Sequence, residues 1–341
     1  MLFSIVIPVY NVEKYLDECL ISIIEQIDLN SAEYELLLID DGSKDSSGQI
    51  CKKYALKYPE LVKVYHRTNH GLLLTRRFGY QMAKGEYVIN CDSDDKMEPK
   101  ALQILYDVVK RENPDVILFN CNMYDGSKKQ VMYKDIFSTE EVTMIAKDRV
   151  YQRYLQDYSI VGMHEKCYRR ACIDLNRDYT EVSWISNGED SLQTLEIFDH
   201  ANTYCYINRP LYDYRMGSGM THKFDPRYFE SFRVVIDEII SRKKKWQLID
   251  FEYWIAVKTL ATAGRAITQS RYGGKKGIKT HIDYLKKIYN DPVVQKYIKE
   301  LNTVKKHLQK DHWILLWLLK YRLNSSIVLL LNIKNMTDKN S

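Results

Sequence analysis

Three aspartates follow a short apolar run near the middle of the first half of the chain. The run covers residues 87–89, and Asp92, Asp94 and Asp95 come directly after it. Clustered carboxylates repel one another, so they cost free energy unless a cation or hydrogen-bond donors gather there. Carboxylate oxygens suit Mg²⁺ or Mn²⁺, which also bind phosphates. The alternative is a polar turn with an aspartate capping the helix after Pro99.

Two further acidic pairs occur at comparable places. Asp40 and Asp41 follow the apolar run 34–39, and Glu189 and Asp190 lie in an irregular stretch. In an open α/β sheet, ligands bind beyond the carboxyl ends of the strands. The first pair and the cluster near residue 92 are therefore expected to meet at one sheet edge. The alternative for Glu189 and Asp190 is a capping pair for the helix that follows them.

The elements that must position these carboxylates alternate along the first half of the chain. Apolar runs at 3–7, 34–39, 62–65, 87–89 and 115–120 indicate strands, and the segments between them have helical spacing. Single helices between strands imply right-handed crossovers and a mostly parallel, doubly wound, Rossmann-like α/β sheet. Neither GxGxxG nor GxxxxGK[ST] opens one of these helices, which disfavours dinucleotide binding of the usual kind and P-loop chemistry.

The second half of the chain differs in pattern and in charge. Residues 159–222 are irregular and rich in aromatic side chains, and helical spacing dominates after residue 225. Residues 223–341 contain 24 Lys and Arg against 11 Asp and Glu, whereas residues 1–222 contain 26 against 34. We therefore predict an α/β domain over 1–225 and a basic α-helical domain over 226–341. The basic faces of the helices in the second domain are expected either to be solvated or to contact an anionic partner.

Cysteine usage and hydropathy indicate the compartment. The seven cysteines are scattered without CxxC spacing, and no basic segment precedes an apolar stretch at the N-terminus. Both features predict a cytoplasmic protein. The apolar stretches 313–319 and 327–331 are interrupted by Lys320 and Arg322, so neither reaches the length of a membrane span. They predict peripheral contact with the inner face of a membrane, a homo-oligomer interface, or ordinary core burial.

The order and spacing of several short motifs resemble a known family. The motifs are Pro8-Val9-Tyr10-Asn11, Asp40-Asp41-Gly42-Ser43, Asn69-x-Gly71, Thr75-Arg76-Arg77, Gly85-Glu86-Tyr87, Asp92-x-Asp94-Asp95 and Glu189-Asp190. Over residues 3–222 they resemble glycosyltransferase family 2, whose members are inverting, nucleotide-sugar-dependent enzymes with the GT-A fold. The family commonly has Ala-Arg-Asn where this chain has Thr75-Arg76-Arg77, which weakens the assignment of a role to that helix.

The resemblance implies a donor site at the acidic cluster. Pro8, Tyr10 and Asn11 would form the floor of the nucleoside site, and Asp41 would bind the uracil edge. Asp92 would lie beside the ribose and diphosphate, while Asp94 would be the ligand of Mn²⁺ or Mg²⁺. The implied role of Arg76 is to pair with Asp94 or the phosphates; the alternative is a surface arginine.

The resemblance also implies which residues contact the acceptor. Asp190 would be the general base that takes the proton from the acceptor hydroxyl. Glu189 would orient the loop or the acceptor, and Trp184 would stack on an acceptor sugar unless it is a half-buried core residue. His222 would reach the diphosphate or the metal, or else have a structural role.

The sequence therefore predicts a glycosyltransferase that uses a UDP-sugar. The expected acceptor is a saccharide, a lipid-linked sugar or a glycoprotein, in polysaccharide biosynthesis or protein glycosylation, and no nucleic-acid partner is predicted. One alternative is a nucleotidyltransferase, although such enzymes open with a Gly-rich basic loop that residues 8–14 lack. The other alternative is a non-catalytic partner that binds nucleotide sugars. The sugar and the linkage are left open.

Overall fold

The computed structural model describes residues 1–26, 33–217, 225–271 and 277–338, without the side chains of 277, 278 and 334–338. Contacts divide the chain into a first unit, residues 1–150 with 158–218, and a second unit, residues 151–157 with 219–341. The domain boundary predicted at 225/226 stays a prediction. The division into units differs from the predicted domains because it groups residues 151–157 with the C-terminal residues.

The first unit is built on one mixed β-sheet. The strands of the described residues are β1 (Phe3–Val9), β2 (Tyr34–Asp40), β3 (Val62–His66), β4 (Tyr87–Asn90), β5 (Lys96–Met97), β6 (Val116–Tyr124), β7 (Lys129–Val131), β8 (Val142–Ile145), β9 (Lys166–Arg169) and β10 (Tyr204–Arg215). The order is β3-β2-β1-β4-β9-β6-β10-β5, with β7 on β6 and β8 on β10. Strands β3, β2, β1 and β4 are parallel, and β9 runs antiparallel between β4 and β6.

Helices cover this sheet because their apolar residues recur on one side. The helices α1 (Glu13–Ile24), α2 (Ser47–Lys57), α3 (Leu72–Met82), α4 (Ala101–Glu112), α5 (Lys147–Gln156) and α6 (Glu189–His200) begin in the first unit. In α1 the buried face is Leu16, Cys19, Leu20 and Ile23, which recur at the three- and four-residue spacing of a helix face. A Cβ added at Gly79 in α3 would lie 2.4 Å from Val6, so glycine lets this helix approach the sheet.

The second unit is helical. It contains α7 (Tyr228–Ser241), α8 (Lys243–Trp246), α9 (Phe251–Gln269), α10 (Gly277–Asn290), α11 (Pro292–Tyr297), α12 (Lys310–Lys320) and α13 (Asn324–Asp338). Helix α9 is buried along most of its length and packs against α7, α11 and α12. The predicted fold class, an α/β sheet domain followed by a helical C-terminal region, is confirmed. Among the described residues, no helix is long and apolar enough to cross a membrane.

Candidate active site

Parallel pairing brings the predicted carboxylates to one edge of the sheet. Val9 at the end of β1 pairs with Asp40 at the end of β2, and Val6 pairs with Asn90 at the end of β4. The residues that follow these strands therefore leave the sheet on the same side. Asp41 and Asp92 are the first acidic residues beyond β2 and β4, which places both carboxylates at this edge.

Tyr212 on β10 fixes the backbone of the aspartate cluster. Its hydroxyl accepts a hydrogen bond from the backbone N–H of Asp92 at 3.0 Å and donates one to Asp95 at 2.8 Å. The carboxylate of Asp95 also accepts from the backbone N–H of Arg215 at 2.7 Å. Burial and the charges of Asp92 and Asp94 raise the pKa of Asp95 well above its usual value. Asp95 thus has a structural position, held by the hydroxyl of Tyr212 and the backbone of Arg215.

Arg76 joins the aspartate cluster to the second acidic pair. Its side chain is 1% exposed, and it donates to the carboxylate of Asp92 at 2.8 Å and to that of Asp190. Burial lowers the pKa of the guanidinium, but the negative charges of Asp190 and Asp92 outweigh that effect, and the pKa lies well above its usual value. A buried cation needs such partners, since an unpaired charge in the interior is costly.

Asp190 is held in the ionised form. It lies in the first turn of α6, where exposed backbone N–H groups favour negative charge. Burial raises its pKa, but the positive charges of Arg76 and Lys166 and the hydrogen bond from Arg76 outweigh burial and leave the pKa below its usual value. An ionised carboxylate next to the aspartate cluster can accept a proton from a hydroxyl.

Glu189 has the opposite protonation state. Burial and the adjacent charge of Asp190 raise the pKa of Glu189 to about 8. Two neighbouring carboxyl groups with pKa values pushed apart are typical of acid–base sites, where one member accepts protons and the other donates hydrogen bonds. The raised pKa favours the protonated form of Glu189 at neutral pH, and in that form its carboxyl can donate a hydrogen bond.

A short loop on β9 supports Asp190 from the other side. The backbone N–H of Met163 lies 3.4 Å from Oδ2 of Asp190. The buried Lys166 donates to the carbonyl of Gly162, and the hydroxyl of Thr194 donates to that of Val161 at 2.9 Å. These bonds hold the loop in place against the carboxylate. The sequence reasoning missed Lys166, because a lysine inside a strand gives no local signal that it is buried.

His164 completes the surroundings of the carboxylates. Its ring stacks on Tyr212 at 4.9 Å and on Tyr214 at 5.5 Å between centroids. Burial lowers the pKa of His164, although the charges of Asp92 and Asp190 oppose the shift. The imidazole is therefore neutral over most of the physiological range, and it acts in the stack as an aromatic ring.

Comparison with known proteins decides the family. Residues 4–174 match the family model described as glycosyl transferase family 2. The chain is 30% identical over 250 residues to the glycosyltransferase GlyG of Streptococcus pneumoniae, a match that covers 71% of this chain and 79% of GlyG.

This chain belongs to glycosyltransferase family 2. It is also 28% identical over 247 residues to the poly(ribitol-phosphate) β-N-acetylglucosaminyltransferase TarS of Staphylococcus aureus, which covers 71% of this chain and 41% of TarS. Family membership selects the glycosyltransferase over the nucleotidyltransferase and the non-catalytic binding partner.

Solved structures agree on the fold. Residues 1–349 of S. aureus TarS in complex with UDP-GlcNAc align with a TM-score of 0.68 at 20% identity, over 99% of this chain and 92% of that one. The mannosyltransferase PcManGT of Pyrobaculum calidifontis, in complex with GDP-Man and Mn²⁺, aligns with a TM-score of 0.50 at 13% identity, over 99% and 87%. At these identities the likeness concerns the GT-A fold.

The residues predicted to bind the nucleoside lie in a set of loops that hydrogen bonds tie together. The buried carboxylate of Asp41 accepts from the backbone N–H of Gly71 at 2.9 Å and of His70 at 3.0 Å. The side-chain oxygen of Asn11 accepts from the backbone N–H of Lys44 at 2.8 Å. Asp41 and Asn11 therefore shape the loops that follow β1, β2 and β3.

Pro8 and Tyr10 flank these loops in different environments. Pro8 is buried in β1, in register with Ile39 of β2, whereas Tyr10 is an exposed aromatic ring just beyond the strand. An exposed ring at the carboxyl edge of the sheet can stack on a planar base. That role for Tyr10 and the floor role for Pro8 remain predictions.

Asp94 is the carboxylate that the resemblance assigns to a divalent cation. It is half-buried, and its backbone carbonyl accepts from Nε of Arg215 at 2.7 Å, which fixes the loop. Among the described residues, one group of three side chains places its potential metal-ligand atoms within 4.8 Å of one another, and it consists of Cys121, His164 and Glu165. Asp94 does not belong to this group. Mg²⁺ and Mn²⁺ commonly bind through one or two carboxylates, with phosphates and water as the other ligands. Asp94 offers one such carboxylate, which fits that pattern if the donor phosphates supply the other ligands.

Trp184 and His222 were also predicted to belong to the site. Trp184 lies just before α6 with 37% of its surface exposed, so part of the ring is available to a ligand. His222 lies outside the described residues. All seven cysteines are buried free thiols.

Proposed function

We propose that this glycosyltransferase transfers a sugar from a UDP-sugar to an acceptor hydroxyl with inversion at the anomeric carbon. The observation that carries the proposal is the ion pair from Arg76 to both Asp92 and Asp190. It links the carboxylate assigned to the donor to the carboxylate assigned to the base. UDP is the proposed nucleotide because the related TarS structure contains UDP-GlcNAc.

Asp190 is the general base of the proposed reaction. Its ionised carboxylate accepts the proton of the acceptor hydroxyl as that oxygen forms a bond with the anomeric carbon. The bond from this carbon to the diphosphate oxygen breaks, and its electron pair leaves with UDP. Because attack and departure occur on opposite faces, the configuration inverts. Arg76 and the N–H of Met163 hold the carboxylate in place while the proton moves.

Glu189, protonated at neutral pH, donates a hydrogen bond on the acceptor side, and Trp184 offers a partly exposed ring for stacking. The proposed acceptor class is a glycan, and the name of the relative TarS, a poly(ribitol-phosphate) β-N-acetylglucosaminyltransferase, supports a polymer that carries hydroxyl groups. A saccharide, a lipid-linked sugar and a glycoprotein all present the required hydroxyl. The sugar on UDP is selected by contacts outside these motifs.

Asp94 would hold Mn²⁺ or Mg²⁺ together with the donor phosphates. When bound, the ion supplies positive charge that stabilises the charge developing on the leaving diphosphate. Asp92 is proposed to lie beside the ribose and diphosphate, with its orientation set by Arg76 at 2.8 Å. The complex of PcManGT with GDP-Man and Mn²⁺ supports a metal in this fold.

The test is a donor-hydrolysis screen over UDP-, GDP- and dTDP-sugars with Mn²⁺, Mg²⁺ or chelator. We expect hydrolysis of one or more UDP-sugars in the presence of either metal and little with chelator. Preference for GDP- or dTDP-sugars would overturn the nucleotide assignment, and equal rates with chelator would overturn the metal assignment.

A further inference from the structure

Helices α12 and α13 expose apolar side chains on one side while they bury others. Ile314 and Trp317 on α12 and Tyr321 directly after it are exposed apolar residues at helical spacing, and Leu329 and Leu330 are exposed on α13. Their exposed fractions run from 37% to 62%. We call these five residues the apolar face.

The opposite sides of the same helices account for their packing. Leu315, Leu316 and Leu319 on α12 are buried, as are Ile327 and Leu331 on α13. Helix α12 packs on α9, and α13 packs on α10 and α12. The fold of the second unit therefore does not need the apolar face, which exposes apolar surface at a cost in solvation free energy.

Positive charge accompanies the apolar face. Residues 304–334 contain six Lys and Arg and a single acidic residue, Asp311. The cationic residues are Lys305, Lys306, Lys310, Lys320, Arg322 and Lys334. The rings of Trp317 and Tyr321 lie 4.9 Å apart, and both residues belong to this basic stretch of the sequence.

We propose that the apolar face binds the surface of an anionic lipid bilayer, with α12 and α13 lying in the interface. Trp and Tyr favour the boundary between headgroups and acyl chains, and leucines enter the apolar layer. Lysines beside the face are attracted to anionic headgroups, and their long stems let the ammonium groups reach them.

A second copy of the chain fits this surface less well. Cores of protein–protein interfaces are depleted of lysine, and two copies would bring together regions of like charge. Residues 223–341 carry 24 Lys and Arg against 11 Asp and Glu, so a symmetric pair would repel at this face. An anionic bilayer removes that repulsion and gains from the same charges.

The experiment is co-sedimentation of the full chain with vesicles of phosphatidylglycerol and phosphatidylcholine, and with vesicles of phosphatidylcholine alone. We expect binding to the anionic vesicles that weakens as salt rises, and much weaker binding to the neutral ones. The double variant Trp317→Ser, Leu329→Ser should bind anionic vesicles about 10- to 100-fold more weakly. The matched control Leu56→Ser, Ile249→Ser removes two exposed apolar side chains elsewhere and should bind as the wild type does.

A charge series tests the electrostatic part separately. Lys310→Ala with Lys320→Ala should weaken binding by about fivefold for each cation removed. The control pair Lys244→Ala with Lys299→Ala removes two exposed lysines outside α12 and α13 and should have a smaller effect.

Three results would overturn the proposal. One is wild-type vesicle binding by the Trp317 and Leu329 double variant, and another is equal binding to neutral and anionic vesicles. The third is a light-scattering measurement in which the wild type is a dimer and the double variant is a monomer. That result would identify a second copy of the chain as the partner of the apolar face. Thermal unfolding and UDP binding of each variant show whether it is folded. If the double variant does not fold, vesicle binding by the charge series tests the proposal instead.

Discussion

The guanidinium of Arg76 is bonded to the carboxylate of Asp190, 114 positions later in the chain. The same guanidinium bonds Asp92 at 2.8 Å, so one buried cation connects α3, the end of β4 and the start of α6. A planar guanidinium presents several N–H groups in a fixed fork and can hold two carboxylates at once. One side chain therefore links the proposed donor residue to the proposed base.

Asp190→Asn tests the general base. The amide has the same shape but cannot take up the proton, so kcat for transfer should fall by about 10²- to 10⁴-fold. UDP binding, measured by calorimetry, should change little. The control Asp199→Asn lies at the other end of α6 and should retain kcat. A kcat of Asp190→Asn close to that of the wild type would show that another group accepts the proton.

Arg76→Met tests the ion pair through the pH dependence of the reaction. Without the cation, burial and the remaining carboxylates would raise the pKa of Asp190, whereas it now lies below its usual value. Because the base must be ionised, the acidic limb of the profile of kcat/KM against pH should move to higher pH.

Breaking a buried pair costs about 3–5 kcal/mol of stability, so thermal unfolding should accompany the Arg76→Met measurement. Arg76→Lys keeps one positive charge and should show a smaller shift of the acidic limb. Arg111→Met, on the surface of α4, is the control. If the acidic limb stays in place in both Arg76 variants, the cation does not set the pKa of the base.

Asp94→Asn tests the metal assignment without relying on catalysis. Replacing an anionic ligand with a neutral amide should remove most of the Mn²⁺ dependence of UDP binding, because the amide is the weaker ligand for a hard cation. Calorimetric titration of UDP with and without Mn²⁺ measures the difference. The exposed Asp107→Asn on α4 serves as the control. An undiminished response to Mn²⁺ would exclude Asp94 as the ligand.

Lys258→Met tests a buried cation in the second unit. Lys258 is 1% exposed on α9 and donates to the backbone carbonyl of Tyr154 at 2.9 Å. Burial lowers its pKa to about 7 in the folded state, against about 10.4 when unfolded. Between these values the unfolded chain binds more protons, so this residue makes stability rise with pH, by at most about 1.4 kcal/mol per pH unit.

In the Lys258→Met variant, that part of the rise in unfolding free energy between pH 7 and 10 should disappear. Denaturant unfolding at several pH values measures it, and the exposed Lys244→Met is the control. The same slope in wild type and Lys258→Met would mean that Lys258 remains charged in the folded protein.

Much of the secondary structure was predictable because its signals are local. The apolar runs at 3–7 and 34–39 became β1 and β2, and the apolar stripe of α1 became its buried face. The run at 115–120 continues as strand to Tyr124, where polar side chains hid the signal. The antiparallel strand β9 was not predicted, because its partners β4 and β6 lie far away in the sequence.

The amino-acid sequence by itself determined the chemistry at the sheet edge and the family. Aspartates placed directly after parallel strands must meet at one edge, and this follows from residue order alone. Only the tertiary structure decided what each carboxylate touches. The pairing of Arg76 with Asp92 and Asp190, and the burial of Lys166 behind the loop at Met163, depend on contacts between distant segments. Protonation follows from burial and neighbouring charge, so the structure distinguishes the ionised Asp190 from the protonated Glu189.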